Sequence, residues 1–310
     1  MDVRHLELLR ELALRGSVTA VAKATHRTPS AVSQQLKIAG REFGMALVEP
    51  SGRGLRLTEA GRLLAEGGAD IAAAIAQVQA RWDRFRGEPS GVVTVAALPS
   101  AATFLFADVM RRLESTAISL QCSDFDIAEV EFADLAVDSD IVIAHSFTTA
   151  RPSGAGTLTV VPLALEPLDI AMAADHPLAE RETVRPEDLL EWEWIGVPKG
   201  YPFDSVVESV ERFTGVPMNV VQRLRDNRLV ESLVAGSRRL AVLPRFTTPT
   251  GGGLVLRELT GIPSRRHLSA MVRPDKAERL AVRHVLQAFR EVAQGVEERH
   301  RRSAGPVVTD

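Results

Sequence analysis

The chain of 310 residues holds one cysteine, Cys122, so no intramolecular disulfide can form and no metal site can rest on cysteine pairs. Cys122 lies in Ile118-Ser119-Leu120-Gln121-Cys122 and reads as a buried strand residue. No apolar run reaches the roughly 18 residues that a membrane-spanning helix needs. No signal-peptide core stands at the N-terminus, so the cytoplasm is the expected location and no membrane is an expected partner. The seven histidines show no His-Glu-x-x-His spacing, and no Gly-x-Ser-x-Gly nucleophile turn occurs. Gly251-Gly252-Gly253 lacks the Gly-Lys-Ser/Thr end of a phosphate loop and reads as a turn. No catalytic residue, metal ligand or cofactor is therefore expected, and the chain is not expected to be an enzyme.

What is present is ordinary in bulk and uneven in distribution. Hydrophobic residues make up 45% and charged residues 25%, as in soluble globular proteins, and the length allows two or three domains. The net charge of -3 hides an asymmetry: residues 1–90 hold 13 Lys+Arg against 10 Asp+Glu, the remainder 24 against 30. A mildly basic head on an acidic body fits a nucleic-acid-binding module joined to something else.

Asp2 to Arg15 has Val3, Leu6, Leu9 and Leu12 at helical spacing, with Gly16 as a left-handed end. Ser17 is placed to cap a short helix, Val18 to Thr25, and His26-Arg27 turn the chain. Thr28-Pro29 starts a second helix, because proline lacks the donor that would be orphaned there. In that helix Val32, Leu36, Ala39 and Phe43 form one apolar face. Ser30, Ser33, Gln34, Lys37 and Arg41 form the other, with no carboxylate before Glu42. Such a stripe suits a helix in the major groove of DNA. Leu47-Val48-Glu49 and Leu55-Arg56-Leu57 then flank a turn that aims Arg53 at the phosphates or minor groove. A solvated polar face is the plainer reading of the stripe alone; cap, turn and wing together favour DNA.

AVSQQL, then EFG, then RGLRLTEAG closely resemble the winged helix-turn-helix of LysR-type transcriptional regulators. Gln34 stands where the family often has Arg, Pro29-Ser30 replaces Gln-Pro, Ala39-Gly40 replaces Leu-Glu, and Val48 replaces a common Phe. The resemblance implies a regulator that binds double-stranded DNA as a homodimer or homotetramer and answers to a small effector. Its DNA-contacting residues would be Thr28, Pro29, Ser30, Ser33, Gln34, Lys37 and Arg53. The rival is a solute-binding or enzymatic α/β domain whose N-terminal helices serve only for dimerisation.

Leu64, Gly68, Ile71, Ile75, Val78, Trp82 and Phe85 follow alternating spacings of four and three. That heptad seam wants a partner helix. Residues 59–90 therefore read as a linker and dimerisation helix ending in the hinge Gly87-Glu88-Pro89-Ser90-Gly91, behind a DNA-binding domain at 1–58. Packing within its own domain is the alternative. Gly67 and Gly68 cost helix propensity and allow close approach or bending.

Beyond the hinge, strand and helix signals alternate, which argues for a mainly parallel α/β sheet. A helix is expected near Ile127 to Ala136, and separate strands at Leu158 to Leu165 and Leu168 to Ala173. Awkward segments at Val161-Pro162 and Arg266-His267 read as crossovers between two lobes, as in periplasmic binding proteins, and the resemblance implies the same layout. Lobe I would be 91–162 with 268–298, lobe II 163–267, and 299–310 a disordered tail.

Ligands of two-lobed α/β domains bind beyond the carboxyl ends of strands. That points to Ser100, Ala101 and Thr103 in one lobe and Lys199 and Tyr201 in the other, with His145 and Ser146 on the floor. Ser100 fits a plain helix cap equally well. Donors and one cation favour a small organic anion, while Asp124 on a neighbouring loop leaves an amino group open.

Overall fold

The computed structural model describes residues 2–52, 54–86, 89–127, 129–201 and 203–303. They form two compact units, one reaching Ser90 and including Arg273–Arg283, the other Gly91–Val272 with the segment from His284.

In the first unit α1 (Val3–Arg15) ends at Gly16, whose φ of 69° and N–H bond to the Leu12 carbonyl close the helix as expected. Ser17 Oγ accepts from the Ala20 N–H at 3.1 Å and starts α2 (Val18–Ala24). His26 makes the turn at φ 54°. Thr28 Oγ1 accepts from the Ala31 N–H at 3.2 Å and starts α3 (Pro29–Glu42). Leu9, Leu12, Val21, Val32, Leu36 and Ala39 share one core with Leu47, Leu57 and Ala65. β1 (Val48–Ser51) and β2 (Gly54–Leu57) pair antiparallel as the wing. Thr58 ties the wing to α4 (Glu59–Arg86): its Oγ1 donates to the Ala46 carbonyl at 2.8 Å and accepts from the Gly61 N–H at 3.1 Å.

The second unit runs β3 (Ser90–Ala97), α5 (Pro99–Leu113), β4 (Ala117–Asp124), then a 3-10 helix, Glu129–Val137, where a helix was expected. β5 (Ile141–Ser146), β6 (Thr159–Ala173), β7 (Thr183–Val184) and β8 (Trp194–Gly196) follow. Next come α6 (Asp204–Thr214), β9 (Val220–Arg223), α7 (Asn227–Ala235), β10 (Ala241–Pro244), β11 (Leu254–Leu259) and β12 (Arg265–Val272). The chain closes with α8 (Pro274–Ala277), which packs on α4 in the first unit, and α9 (Leu280–Ser303).

The main sheet has the order β4-β3-β5-β12-β6-β11-β7, with β10 also on β6. It is mixed, not mainly parallel: β3 and β5 run parallel, but β12 pairs antiparallel with both β5 and β6, and β10 and β11 antiparallel with β6. The two expected strands at 158–173 are one, β6, long enough to serve both lobes. The crossovers near Pro162 and Arg266-His267 are therefore paired strand, with a register shift between Leu268 and Ser269 in place of a break. A long strand keeps its backbone groups bonded while it passes from one core to the next.

Two other expectations change. Cys122 is on a strand but exposed, because β4 is the sheet edge and buries Ile118 without covering its far end. The expected tail is helical through Ser303: His300 packs its ring 4.8 Å from that of Phe246, giving the last turns a side-chain contact. Residues 304–310 lie outside the described residues.

The adjacent glycines of α4 differ. A Cβ on Gly68 would stand 2.5 Å from the Leu6 carbonyl oxygen, and one on Gly61 would strike that of Leu47, whereas Gly67 has nothing within 4 Å. Gly67→Ala should stabilise the first unit by up to about 1 kcal/mol through helix propensity. Gly61→Ala and Gly68→Ala should lower its thermal midpoint; a rise for either would show that the helix packing yields.

Candidate DNA interface and effector cavity

On α3 the apolar face is shut and the polar face is open. Val32, Leu36 and Ala39 are at most 1% exposed, while Ser30, Gln34, Lys37 and Arg41 are exposed and Ser33 is half-buried. Thr28 and Pro29 are exposed at the helix start, with Thr28 Oγ1 3.0 Å from Ser30 Oγ. Phe43, expected in the buried face, is only partly covered at the helix end. At that end Glu42 binds the His5 ring at 2.6 Å, which fixes α3 against α1 and removes its carboxylate from the open stripe. Across the wing Arg56 pairs with Glu49 at 2.9 Å. Arg53 lies outside the described residues.

The second unit contains a cavity of about 400 Å³. Ser100, Thr103, His145 and Tyr201 line it; Ala101, Ser146 and Lys199 are not among its described lining residues. Ala101 is on the buried face of α5, Ser146 is buried with its Oγ 3.3 Å from Thr148 Oγ1, and Lys199 is exposed. Thr103 spends its hydroxyl proton on the Pro99 carbonyl at 2.9 Å. Ser100 is not the cap of α5. That position is Leu98, which makes no side-chain cap bond, and Pro99 takes the first turn. Instead Ser100 Oγ accepts from Arg266 Nη2 at 2.8 Å.

Sequence reasoning did not single out the buried ion pair of Arg266 and Glu166, of which Arg266 lines the cavity. They stand directly opposite each other on β12 and β6, both 0% exposed. Glu166 Oε2 accepts from Arg266 Nε at 2.8 Å and Nη2 at 2.6 Å, and its Oε1 from the Phe246 N–H at 3.0 Å. Arg266 Nη1 is buried without a protein partner. A parity signal was available: 266, 268, 270 and 272 are all inward, as are 164, 166, 168 and 170, so each charge stands in phase with apolar core residues.

His145 lies buried between Phe132 and Phe147, both edge-on with ring centroids 5.6 Å away, and neither ring nitrogen has a partner. Burial, then the charge of Arg266, lowers its pKa from 6.5 to about 3, so the ring is neutral. Arg225 lies over the Tyr201 ring at 4.8 Å, and both line the cavity.

A winged helix-turn-helix joined to a two-lobed α/β domain around a polar cavity is the architecture of a ligand-responsive DNA-binding protein. Residues 3–62 match the bacterial regulatory helix-turn-helix protein, lysR family, and residues 86–294 match the LysR substrate binding domain. The chain belongs to the LysR family of transcriptional regulators, which sets aside the solute-binding or enzymatic rival. It is 22% identical over 271 residues to the HTH-type transcriptional activator CmpR of Synechocystis, covering 86% of this chain and 87% of that one. Its fold is similar to that of an OxyR C206 mutant of Corynebacterium glutamicum (TM-score 0.59, 17% identity, 100% and 98% covered). It is also similar to that of full-length CbnR complexed with its target DNA (TM-score 0.53, 20% identity, 94% and 100% covered). Among the described residues no helix is long and apolar enough to cross a membrane.

The depressed pKa of His145 links stability to pH. The unfolded chain takes up a proton near pH 6.5 that the folded one refuses until about 3, so stability is lost as pH falls through that window. The slope from this group is up to about 1.4 kcal/mol per pH unit. His145→Phe should flatten the urea-unfolding free energy between pH 6 and 4 relative to wild type; an unchanged slope would show that His145 is charged when folded.

Proposed function

We propose that α3 lies in the major groove with Gln34 on a base edge and Lys37 on a phosphate. Thr28, Pro29, Ser30 and Ser33 seat the helix start, and Arg53 reaches the phosphates from the wing. The observation that carries this is the open polar stripe of α3 backed by a fully buried face, since side chains free of their own fold are available to the duplex. Glutamine can bond adenine at two atoms, whereas a lysine on phosphate carries no sequence information. Gln34→Ala should relax preference at one base position by about 1–3 kcal/mol, while Lys37→Ala weakens all sequences alike and reduces the salt dependence. Base-by-base competition binding that reversed these two effects would overturn the assignment.

The protein acts in the cytoplasm as a homodimer or homotetramer, without catalysis of its own, and pairs through α4. Ile75, Val78 and Trp82 are 55–59% exposed and Phe85 81%, an apolar stripe on one chain that a partner helix would cover. Ile75→Asp should make the protein monomeric in sedimentation and weaken its DNA binding, because a buried unpaired charge is costly. A variant that stayed dimeric would show that α4 does not pair the chains. The cavity holds the effector, a small organic anion, supported by Ser100 and Arg266 at the start of α5. Its binding shifts the balance between two arrangements of the lobes, which is what differential affinity can do.

A further inference from the structure

The cavity carries more chemistry than a simple anion needs. At one end Arg266 Nη1 is fully buried and unpartnered, and Arg266 Nη2 already donates to Ser100 Oγ, so the serine hydrogen is available to a ligand. Both groups donate, and they stand at the N-terminal turn of a 15-residue helix, where a carboxylate is favoured. The neutral, unpartnered His145 lines the same space.

The rest of the wall has the opposite bias. Among the described lining residues Asp124, Asp126, Asp226 and Glu231 stand against Arg225, Arg228 and Arg266. Arg266 is neutralised from behind by Glu166, and Arg228 binds Glu231 at 3.0 Å. Partial desolvation raises the carboxyl of Asp126, although Arg225 acts against it, as for an acid short of a cation. A bare carboxylate would thus enter a space whose wall is negative in sum, whereas a ligand that also carries an ammonium group meets both the donors and the carboxylates. Size narrows the class further, since about 400 Å³ is near the low end of the roughly 300–1,000 Å³ of ligand sites.

We infer that the effector is a small zwitterion of the amino-acid type, its carboxylate on Arg266 Nη1 and Ser100 Oγ and its ammonium group toward Asp126 and Asp124. This rests on the cavity being the effector site and replaces a plain acid with an amino acid.

The full-length protein is titrated calorimetrically with the protein amino acids, each beside its des-amino carboxylic acid and its decarboxylated amine. At least one amino acid should bind about ten-fold or more tightly than both of its analogues. An acid that binds as well as its amino acid would overturn the ammonium contact and leave the small-anion reading standing. Binding by none of the three classes would overturn both, and binding by amines alone would overturn the Arg266 contact. Asp126→Asn, tested with Asp124→Asn, should bring the preference for amino acid over acid toward unity, and an unchanged preference in both variants would overturn the proposal. Because removing Arg266 leaves Glu166 buried alone, the carboxylate end is tested by Ser100→Ala and Arg266→Lys. Each should weaken amino acid and acid together; undiminished binding in both would overturn that end.

Discussion

The ion pair between Arg266 and Glu166 is the contact on which the effector domain depends. Each ion alone would cost several kcal/mol to bury. Placed opposite one another on antiparallel strands they share two hydrogen bonds, and Glu166 takes a third from the Phe246 backbone. The strands concerned, β6 and β12, are the ones that pass between the lobes. The pair therefore fixes their register at the place where the cavity opens, and Ser100 on the guanidinium adds the start of α5 to the same network. An arginine so held has one nitrogen left, Nη1, which is buried without a hydrogen-bond partner. Burial, aided by the same charge, keeps His145 neutral.

The DNA-binding unit solves a different problem with smaller forces. α2 has only seven residues, and caps matter: Ser17, Thr28 and Thr58 each satisfy a backbone donor that would otherwise lack a partner. Close approach of backbones does the rest. α4 passes the Leu6 and Leu47 carbonyls at Gly68 and Gly61, positions where any side chain would hold the elements apart. With Val32, Leu36 and Ala39 buried, α3 leaves Gln34 and Lys37 exposed on its opposite face.

Much of the first unit was legible in the chain. The caps, the turn, the wing and the apolar face of α3 are local features, set within a few residues by backbone donors and helical period. The heptad seam of α4 is likewise visible in its spacing; Leu64 and Gly68 pack within their own unit, and the structure leaves Ile75, Val78, Trp82 and Phe85 exposed on the single chain. Of the two glycines singled out on α4, only Gly68 meets another backbone, because which side of the helix faces α1 is not a local property. In the effector domain Ser100, Thr103, His145 and Tyr201, expected from their positions after strands, line the cavity, whereas Lys199 is not among its described lining residues, because a strand end says nothing of side-chain direction.

Periodicity, capping and motif order along the chain suffice for the family, the helix boundaries of the DNA-binding unit and the positions of strand-end loops. That residues 159–173 are one strand, that the sheet is mixed, and that Arg266 meets Glu166 across 100 residues of chain emerge from the folded molecule alone. Pairing direction and the partner of a buried charge depend on which distant segments come together. A strand carries the same alternating pattern whichever way its neighbour runs, and an arginine in a core is only a cost until its carboxylate is in place.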